Sequence, residues 1–214
     1  MRRLVLASAS PRRRELLGAL GLEFRVAPAD LDEESIAAGK APADGALAVA
    51  SAKATVVASR DPDAIVLAGD TIVVLDGAVL GKPKDAADAR RMLGALCDRT
   101  HDVFTAVVVR AAGATRTEVG RSAVRMRPYG AGEIERYVAT GAPLDKAGSY
   151  GVQDGVFDPV AAIDGCYCNV MGLPLWTATR LLGAAGCRTP RRPDDAFARC
   201  AGCPGQTPGS SQRA

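Results

Sequence analysis

The sequence predicts an α/β fold in which helices flank a mixed, twisted sheet. Apolar, β-prone segments alternate along the chain with segments that carry helix-capping residues and helical spacing of apolar residues. Two consecutive β-prone segments, residues 103–110 and 116–127, are separated by Ala112-Gly113, which indicates antiparallel pairing within the otherwise alternating pattern. The 214 residues are 48% hydrophobic, which is enough for one core or for two closely packed lobes.

The predicted elements follow from local signals, taken in chain order. Residues 3–7 form an apolar strand that ends at a Ser-Pro turn. Ser10 can cap the next helix, Pro11 suits its first position, and Gly21 suits its end. The later predicted elements are a strand at 23–27, a helix at 44–59, one bent strand or two strands at 64–75 with a hairpin turn at 76–77, helices at 85–96 and 131–139, a glycine-rich loop with short strand pieces at 148–172, and a closing helix at 173–182.

Composition excludes several classes of function. The net charge of +3 shows no footprint of a nucleic-acid-binding protein. No apolar run approaches the ~20 residues that cross a bilayer, and the apolar stretch at residues 4–7 is shorter than the ~7–15 residues of a secretory signal. We therefore expect a cytoplasmic protein without a membrane or nucleic-acid partner.

The last part of the chain differs in composition from the rest. Residues 187–214 are rich in Pro, Gly, Ser and Arg and are predicted to form a flexible tail, which leaves residues 1–186 as the folded domain. The six cysteines are expected to be reduced thiols. Cys166-Tyr167-Cys168 and Cys200-Ala201-Gly202-Cys203 could suggest zinc, but a Cys-x-x-Cys without a matching second pair is a weak signal.

The segment Ser8-Ala9-Ser10-Pro11-Arg12-Arg13 lies at a predicted junction between a strand and a helix. A helix N-terminus offers free backbone N–H groups, and arginines add forked donors that match phosphate oxygens. The segment therefore suits a polyphosphate. The alternative is an ordinary capped surface helix with a solvated basic turn.

Two carboxylates are candidates for catalysis or metal binding. Asp70 interrupts the apolar run at 64–75, where an unpaired carboxylate would be costly to bury. It could act as a general base or a metal ligand, or be a turn residue between two strands. Glu33 lies in the acidic run at 30–35, and most such runs are solvated loops.

Three lysines and one histidine complete the candidates. Lys53 lies in an Ala-rich helix, and Lys82 and Lys146 lie in short Gly-Lys-Pro and Asp-Lys-Ala-Gly segments. Lone lysines usually extend their ammonium groups to the surface. His101 is the only histidine and has no nucleophile-elbow motif beside it, so we expect a structural role for it.

Together these pieces resemble the Maf family of nucleoside triphosphate pyrophosphatases, and the match runs in order from Leu4 to about Leu182. Any one segment is a weak match, but all six in the same order make coincidence improbable. The segments that carry the resemblance are residues 8–17, 68–73, 81–83, 100–105, 145–153 and 169–174.

The resemblance implies a fold with two lobes around a central cleft, similar to the inosine triphosphatases, a homodimer, and a divalent metal such as Mg²⁺ or Mn²⁺. Asp70 matches the family's proton acceptor. Arg12, Thr71 and Gln153 match the branch that acts on dTTP and UTP. The implied phosphate-binding residues are Ser8, Arg13, Lys53, Lys82 and Lys146, and the implied metal ligands are Glu33 and Asp70. Two alternatives stay open: another base specificity such as 7-methyl-GTP, or a nucleotide-binding regulator of septum formation with little turnover.

Overall fold

A computed structural model describes residues 2–206 of the chain. Helices flank one seven-stranded sheet, so the predicted α/β class is confirmed. The strands are β1 (Leu4–Leu6), β2 (Arg25–Val26), β3 (Ile65–Leu75), β4 (Ala78–Leu80), β5 (Thr100–Ala111), β6 (Ala114–Met126) and β7 (Val160–Asp164). The helices are α1 (Pro11–Ala19), α2 (Glu33–Ala37), α3 (Pro42–Arg60), α4 (Ala86–Leu96), α5 (Ala131–Ala139), α6 (Tyr167–Met171), α7 (Leu175–Ala184) and α8 (Pro193–Ala196).

The sheet is mixed, as predicted. Its strand order is β2-β1-β3-β5-β6-β7, and β4 also pairs with β3. The β1 strand runs parallel to both β2 and β3, whereas the remaining pairs are antiparallel. The predicted pair at 103–110 and 116–127 is the β5–β6 hairpin.

The long strand β3 changes its neighbour halfway along. Its first part pairs with β1, ending where Leu6 faces Leu67. Its last part pairs with β4, beginning where Val73 faces Leu80. Residues 68–72 pair only with β5 on the other side. The apolar run at 64–75 is thus one strand, and the sheet opens on one side of its centre.

Apolar side chains fill both faces of this sheet and its far end. Alternation along β1 sends Leu4 and Leu6 to the face that α1 and α7 cover, and Val5 to the face that α3 covers. A third cluster joins α4 and α5 to the later part of the sheet, around Leu93 and Val124. Among the buried residues of β3, those up to Ala68 belong to the first two clusters, and Val73 and Leu75 belong to the third, so the opening in the sheet lies between these clusters.

Within residues 1–186, two short α-helices were not predicted. Asp32 caps α2 by accepting a hydrogen bond of 3.1 Å from the backbone N–H of Ser35, so the acidic run leads into a helix instead of a loop. The second, α6, lies within the predicted glycine-rich loop and begins after Cys166. Each has only five residues, too few for an apolar period to be recognised.

The prediction of a flexible tail from residue 187 is wrong for residues 187–206. This part contains α8 and packs on the domain: Cys200 is fully buried and its carbonyl accepts a hydrogen bond of 3.1 Å from the Trp176 indole. The backbone N–H of Arg191 donates to the Leu20 carbonyl at 3.1 Å. The prediction relied on the polar average composition of this segment, which does not reveal a few buried residues such as Cys200. Residues 207–214 lie outside the described residues. Within residues 2–206, no helix is long and apolar enough to cross a membrane.

His101 is buried, with 3% of its surface exposed, and Nε2 lies 2.7 Å from the Tyr150 hydroxyl. Its Nδ1 has no hydrogen-bond partner among the described residues. Burial lowers the pKa of His101 from 6.5 to about 4. The structural role expected for His101 agrees with this setting.

We expect the His101 pKa shift to make the protein less stable in acid. As the pH falls below 6.5, the unfolded chain binds a proton that the folded chain does not, until the pH reaches about 4. The free energy of unfolding should fall by roughly 2–3 kcal/mol from this group alone between about pH 7 and pH 4.5. Urea unfolding of the wild type and of His101→Gln at both pH values measures it. An equal loss in the two proteins would show that His101 is not responsible.

Candidate active site

A cleft of about 580 Å³ lies beside residues 68–72, where β3 has no neighbour on one side. The β1–α1 junction, α2, α3, β4 and the segment after α5 complete its walls. All the side chains predicted for the site line this one cleft, although they come from segments far apart in sequence. They are Ser8, Arg12, Arg13, Glu33, Lys53, Asp70, Thr71, Lys82, Lys146 and Gln153.

Two carboxylates meet at one ammonium group on the floor of the cleft. Lys53 Nζ lies 2.9 Å from Asp70 Oδ1 and 2.9 Å from Glu33 Oε1. The side chains of Lys53 and Asp70 are 9% and 12% exposed, whereas that of Glu33 is 48% exposed. The ammonium therefore compensates the charge of Asp70, which lies on β3 where an unpaired carboxylate would be costly.

Helix α3 presents Lys53 inward, not to the surface. The buried residues of α3 recur at helical spacing, and Lys53 is one of them, between Ala50 and Val57. A lysine in such a stripe is unusual unless its charge is paired. The general expectation for lone lysines fails here because two acidic partners lie at the sheet opening.

Arg13 is buried and held by three groups of the protein. Its Nε donates to the Gly172 carbonyl at 2.8 Å, Nη1 to Ser8 Oγ at 3.1 Å, and Nη2 to Thr71 Oγ1 at 2.9 Å. Burial lowers the pKa of Arg13, and Asp70 opposes this effect. Two of its five N–H groups have no partner among the described residues, and Arg13 lines the cleft. Arg13 is thus a rigidly oriented donor at the cleft wall.

Thr105 supports Arg13 from behind, through Thr71. The Thr105 hydroxyl donates to the Asn169 carbonyl at 2.7 Å. Because this bond uses the only hydroxyl proton of Thr105, the Thr105 oxygen accepts a hydrogen bond from the Thr71 hydroxyl at 2.9 Å. The Thr71 oxygen accepts in turn from Arg13. Thr71 and Thr105 face each other in the β3–β5 register. Sequence reasoning missed Thr105 as a site residue, although it lies in one of the six family-like segments.

Gly69 allows Arg13 to lie close to β3. A Cβ at position 69 would come within 3.2 Å of Arg13 Nε and 3.1 Å of the Ala106 carbonyl oxygen. Any other residue would displace the arginine or the strand. The close approach of Arg13 to β3 therefore requires glycine at position 69.

Asp145 joins two of the predicted cations at the cleft, one from α1 and one from the segment after α5. Its carboxylate accepts from Arg12 Nη1 at 3.0 Å and from Lys146 Nζ at 2.6 Å. Burial raises the pKa of Asp145, but the hydrogen bonds from Lys146 and Arg12 outweigh it, so the net shift is downward. Asp145 is the second residue that sequence reasoning missed, and its place beside Lys146 was the available signal.

Lys82 and Gln153 are exposed at the cleft and free to meet a ligand. Neither makes a hydrogen bond or an ion pair with another part of residues 2–206. A Cβ at Gly151 would lie 3.1 Å from Lys146 Cε and 3.4 Å from Gln153 Oε1. The missing side chain at 151 thus lets Lys146 and Gln153 stand side by side.

The cleft carries an excess of positive charge. Among its lining residues, six side chains are basic and four are acidic, so it favours an anionic ligand. The basic residues are Arg12, Arg13, Lys40, Lys53, Lys82 and Lys146, and the acidic residues are Glu33, Glu34, Asp70 and Asp145.

A sequence model of the family described as "Maf-like protein" matches residues 3–185. The chain belongs to the Maf family. Among similar proteins, the dTTP/UTP pyrophosphatase of Moorella thermoacetica is 50% identical over 188 residues, which cover 87% of this chain and 96% of that protein. The proteins of the same name from Dictyoglomus turgidum and Anaeromyxobacter dehalogenans (strain 2CP-C) are 45% and 50% identical, over 86% of this chain and 96% and 94% of their own lengths.

The match to the Maf family covers the region in which all the cleft residues lie. A solved HAM1 protein from Coxiella burnetii overlaps with 59% of this chain at a TM-score of 0.41 and 20% identity, which is too distant for a functional conclusion. The roles assigned to the individual side chains, the homodimer and the cytoplasmic location stay predictions for this Maf-family chain.

Proposed function

We propose that this chain hydrolyses dTTP and UTP to the nucleoside monophosphate and pyrophosphate. The proposal rests mainly on the position of Asp70. Its carboxylate lies at the sheet opening in a cationic cleft and is paired with Lys53. The identity of 45–50% to proteins named dTTP/UTP pyrophosphatases supports the choice of substrate.

Asp70 is the proposed general base. In the reaction, water attacks the α-phosphorus, the bond from that phosphorus to the bridging oxygen breaks, and pyrophosphate leaves. The attacking water must lose a proton, and Asp70 has a second carboxylate oxygen, Oδ2, besides the one that binds Lys53. Lys53 keeps the carboxylate oriented toward the cleft.

The cations around the cleft are proposed to hold the triphosphate. Arg13 is held in place by Ser8 and Thr71, so little further ordering is needed when it meets an anion. Lys82 is exposed and unpaired among the described residues, which leaves its ammonium available for the outer phosphates. Lys146 and Arg12 share Asp145, which holds both side chains at the cleft.

Glu33 and Asp70 fit the ligand set of a divalent metal. Their oxygens converge on one ammonium, although no group of three or more acidic, His or Cys side chains in the described residues is spaced as a complete metal site. Mg²⁺ is usually held by one or two carboxylates together with substrate phosphates and water, so two protein ligands are sufficient. When bound, such an ion would neutralise charge that develops on the phosphoryl oxygens.

Arg12, Thr71 and Gln153 are proposed to set the base preference. The amide of Gln153 is exposed at the cleft and has both a donor and an acceptor, which can pair with a pyrimidine edge. A cationic methylated purine would instead favour a carboxylate and an aromatic face. Thr71 also supports Arg13, so its replacement should affect both binding and base choice.

We expect kcat/KM for UTP and dTTP to exceed that for 7-methyl-GTP by roughly tenfold or more, because unpaired polar groups penalise a wrong base. The purified chain is incubated with each triphosphate and Mg²⁺ or Mn²⁺, and released pyrophosphate is measured. Replacing Arg12, Thr71 and Gln153 together should reduce the preference. Arg14→Ala, which is adjacent in sequence but outside the cleft lining, should keep it.

The same measurement separates the alternatives. Comparable kcat/KM values for UTP and 7-methyl-GTP in the unmodified protein would contradict the proposed base preference. Tight binding of a triphosphate, measured by calorimetry, without turnover of any substrate would favour a nucleotide-binding regulator.

A further inference from the structure

Four cysteines from two distant segments meet beside α6. Cys166 and Cys168 flank the start of α6, and Cys200 and Cys203 lie in the segment after α8. All four are buried and all are free thiols, with exposures of 9%, 0%, 0% and 7% in chain order. The pyrophosphatase mechanism uses none of them, and none lines the cleft.

The four cysteines lie together in one part of the core. Cys168 Sγ lies 3.3 Å from Cys200 Sγ. All four cysteines belong to the same cluster of buried residues. Each segment thus contributes two cysteines. In the folded protein, Cys166 and Cys168 are the second pair that a zinc site with Cys200 and Cys203 would need.

We propose that Cys166, Cys168, Cys200 and Cys203 bind a zinc ion as a structural Cys₄ site, separate from the nucleotide cleft. Structural zinc is held by four Cys or His side chains in closed tetrahedral sites, and Cys200-Ala201-Gly202-Cys203 has the usual spacing of a ligand pair. Each thiol that binds releases its proton to solvent, so the sulfur–hydrogen bonds are exchanged for sulfur–zinc bonds. The other two cysteines, Cys97 and Cys187, belong to neither pair.

The sulfurs must separate slightly to admit the ion. No group of three or more potential ligands in residues 2–206 already has metal spacing. The 3.3 Å between Cys168 and Cys200 is shorter than the edge of about 3.8 Å that four Zn–S bonds of ~2.3 Å produce. An opening of about half an ångström is sufficient for this pair.

Zinc here would fasten the last described segment to the domain. Cys200 and Cys203 follow α8, whereas Cys168 lies one turn before Gly172, the residue whose carbonyl holds Arg13. A metal that bridges the two segments would therefore order both residues 187–206 and the α6 support of the cleft. The metal would add to the buried anchors that already hold this polar segment on the core.

The experiment measures metal content in the full chain, purified without chelators. Plasma mass spectrometry is expected to find about one zinc ion per chain. Cys200→Ser combined with Cys203→Ser should lower the zinc content about tenfold or more, because two of four ligands are lost. The matched double variant Cys97→Ser with Cys187→Ser removes the same number of thiols outside the proposed site and should retain the zinc.

A second measurement does not depend on whether the variants fold. In the wild-type chain, cobalt(II) exchanged for zinc should show the visible absorption of a tetrahedral thiolate complex. Absence of bound zinc, before and after dialysis against zinc chloride, would overturn the proposal. So would an intact mass two hydrogens lower per cysteine pair, which would identify disulfides instead. None of these measurements uses the pyrophosphatase activity, so the two proposals can fail independently.

Discussion

Asp70→Asn is expected to lower turnover of UTP and dTTP by ~10²–10⁴-fold, the usual contribution of a general base. The amide has nearly the same shape as the carboxylate and can still accept a hydrogen bond from Lys53, which lies 2.9 Å from Asp70 Oδ1. It cannot take a proton from water. The fold should therefore survive while the chemical step slows.

Pyrophosphate release under saturating substrate measures the effect, and circular dichroism checks the fold. Asp61→Asn is the matched control, because Asp61 also pairs with basic side chains, Arg3 and Arg25, but does not line the cleft. It should retain activity close to that of the wild type. Near-normal turnover in a folded Asp70→Asn protein would show that another group accepts the proton.

Lys53→Met should both destabilise the protein and reduce its activity. The substitution keeps much of the side-chain volume but removes the ammonium that lies 2.9 Å from both Glu33 and Asp70. Asp70 is then left buried without its cation. Removing one partner of a buried pair typically costs about 3–5 kcal/mol, and the exposure of Glu33 places the expected loss at the lower end.

Urea unfolding of the single and double variants isolates this cause. If an uncompensated Asp70 charge is responsible, Lys53→Met combined with Asp70→Asn should be more stable than Lys53→Met alone. Lys84→Met, on an exposed lysine that does not line the cleft, is the control for loss of an ammonium and should change stability little. A Lys53→Met protein as stable as the wild type would contradict the structural role of the pair.

Much of the candidate site could be predicted because its signals are local or conspicuous. Ser10 and Pro11 determine where α1 begins, and Ser10 does accept a hydrogen bond from the Arg13 backbone N–H. Asp70 attracted attention because a carboxylate in an apolar run needs a partner. In each case the relevant physics acts within a few residues, so the chain itself carries the prediction.

The partners of these residues could not be predicted in the same way. Thr105 acts through a contact between two strands, and Asp145 acts through a contact with Arg12, which is far away in sequence. The flexible-tail prediction failed for residues 187–206 for a related reason. A few buried anchors such as Cys200 outweigh a polar average composition, and their effect depends on the surface against which they pack.

The sequence by itself therefore determined the α/β class and the position of most elements, because local capping and alternation depend on neighbouring residues. Most of the cleft residues were indicated by the resemblance to the Maf family and not by local patterns. Only the tertiary structure decided that β3 changes partners around Asp70, that Lys53 points inward to two carboxylates, and that two cysteine pairs meet. Those features depend on which distant segments share a packed core, and no local interaction specifies that choice.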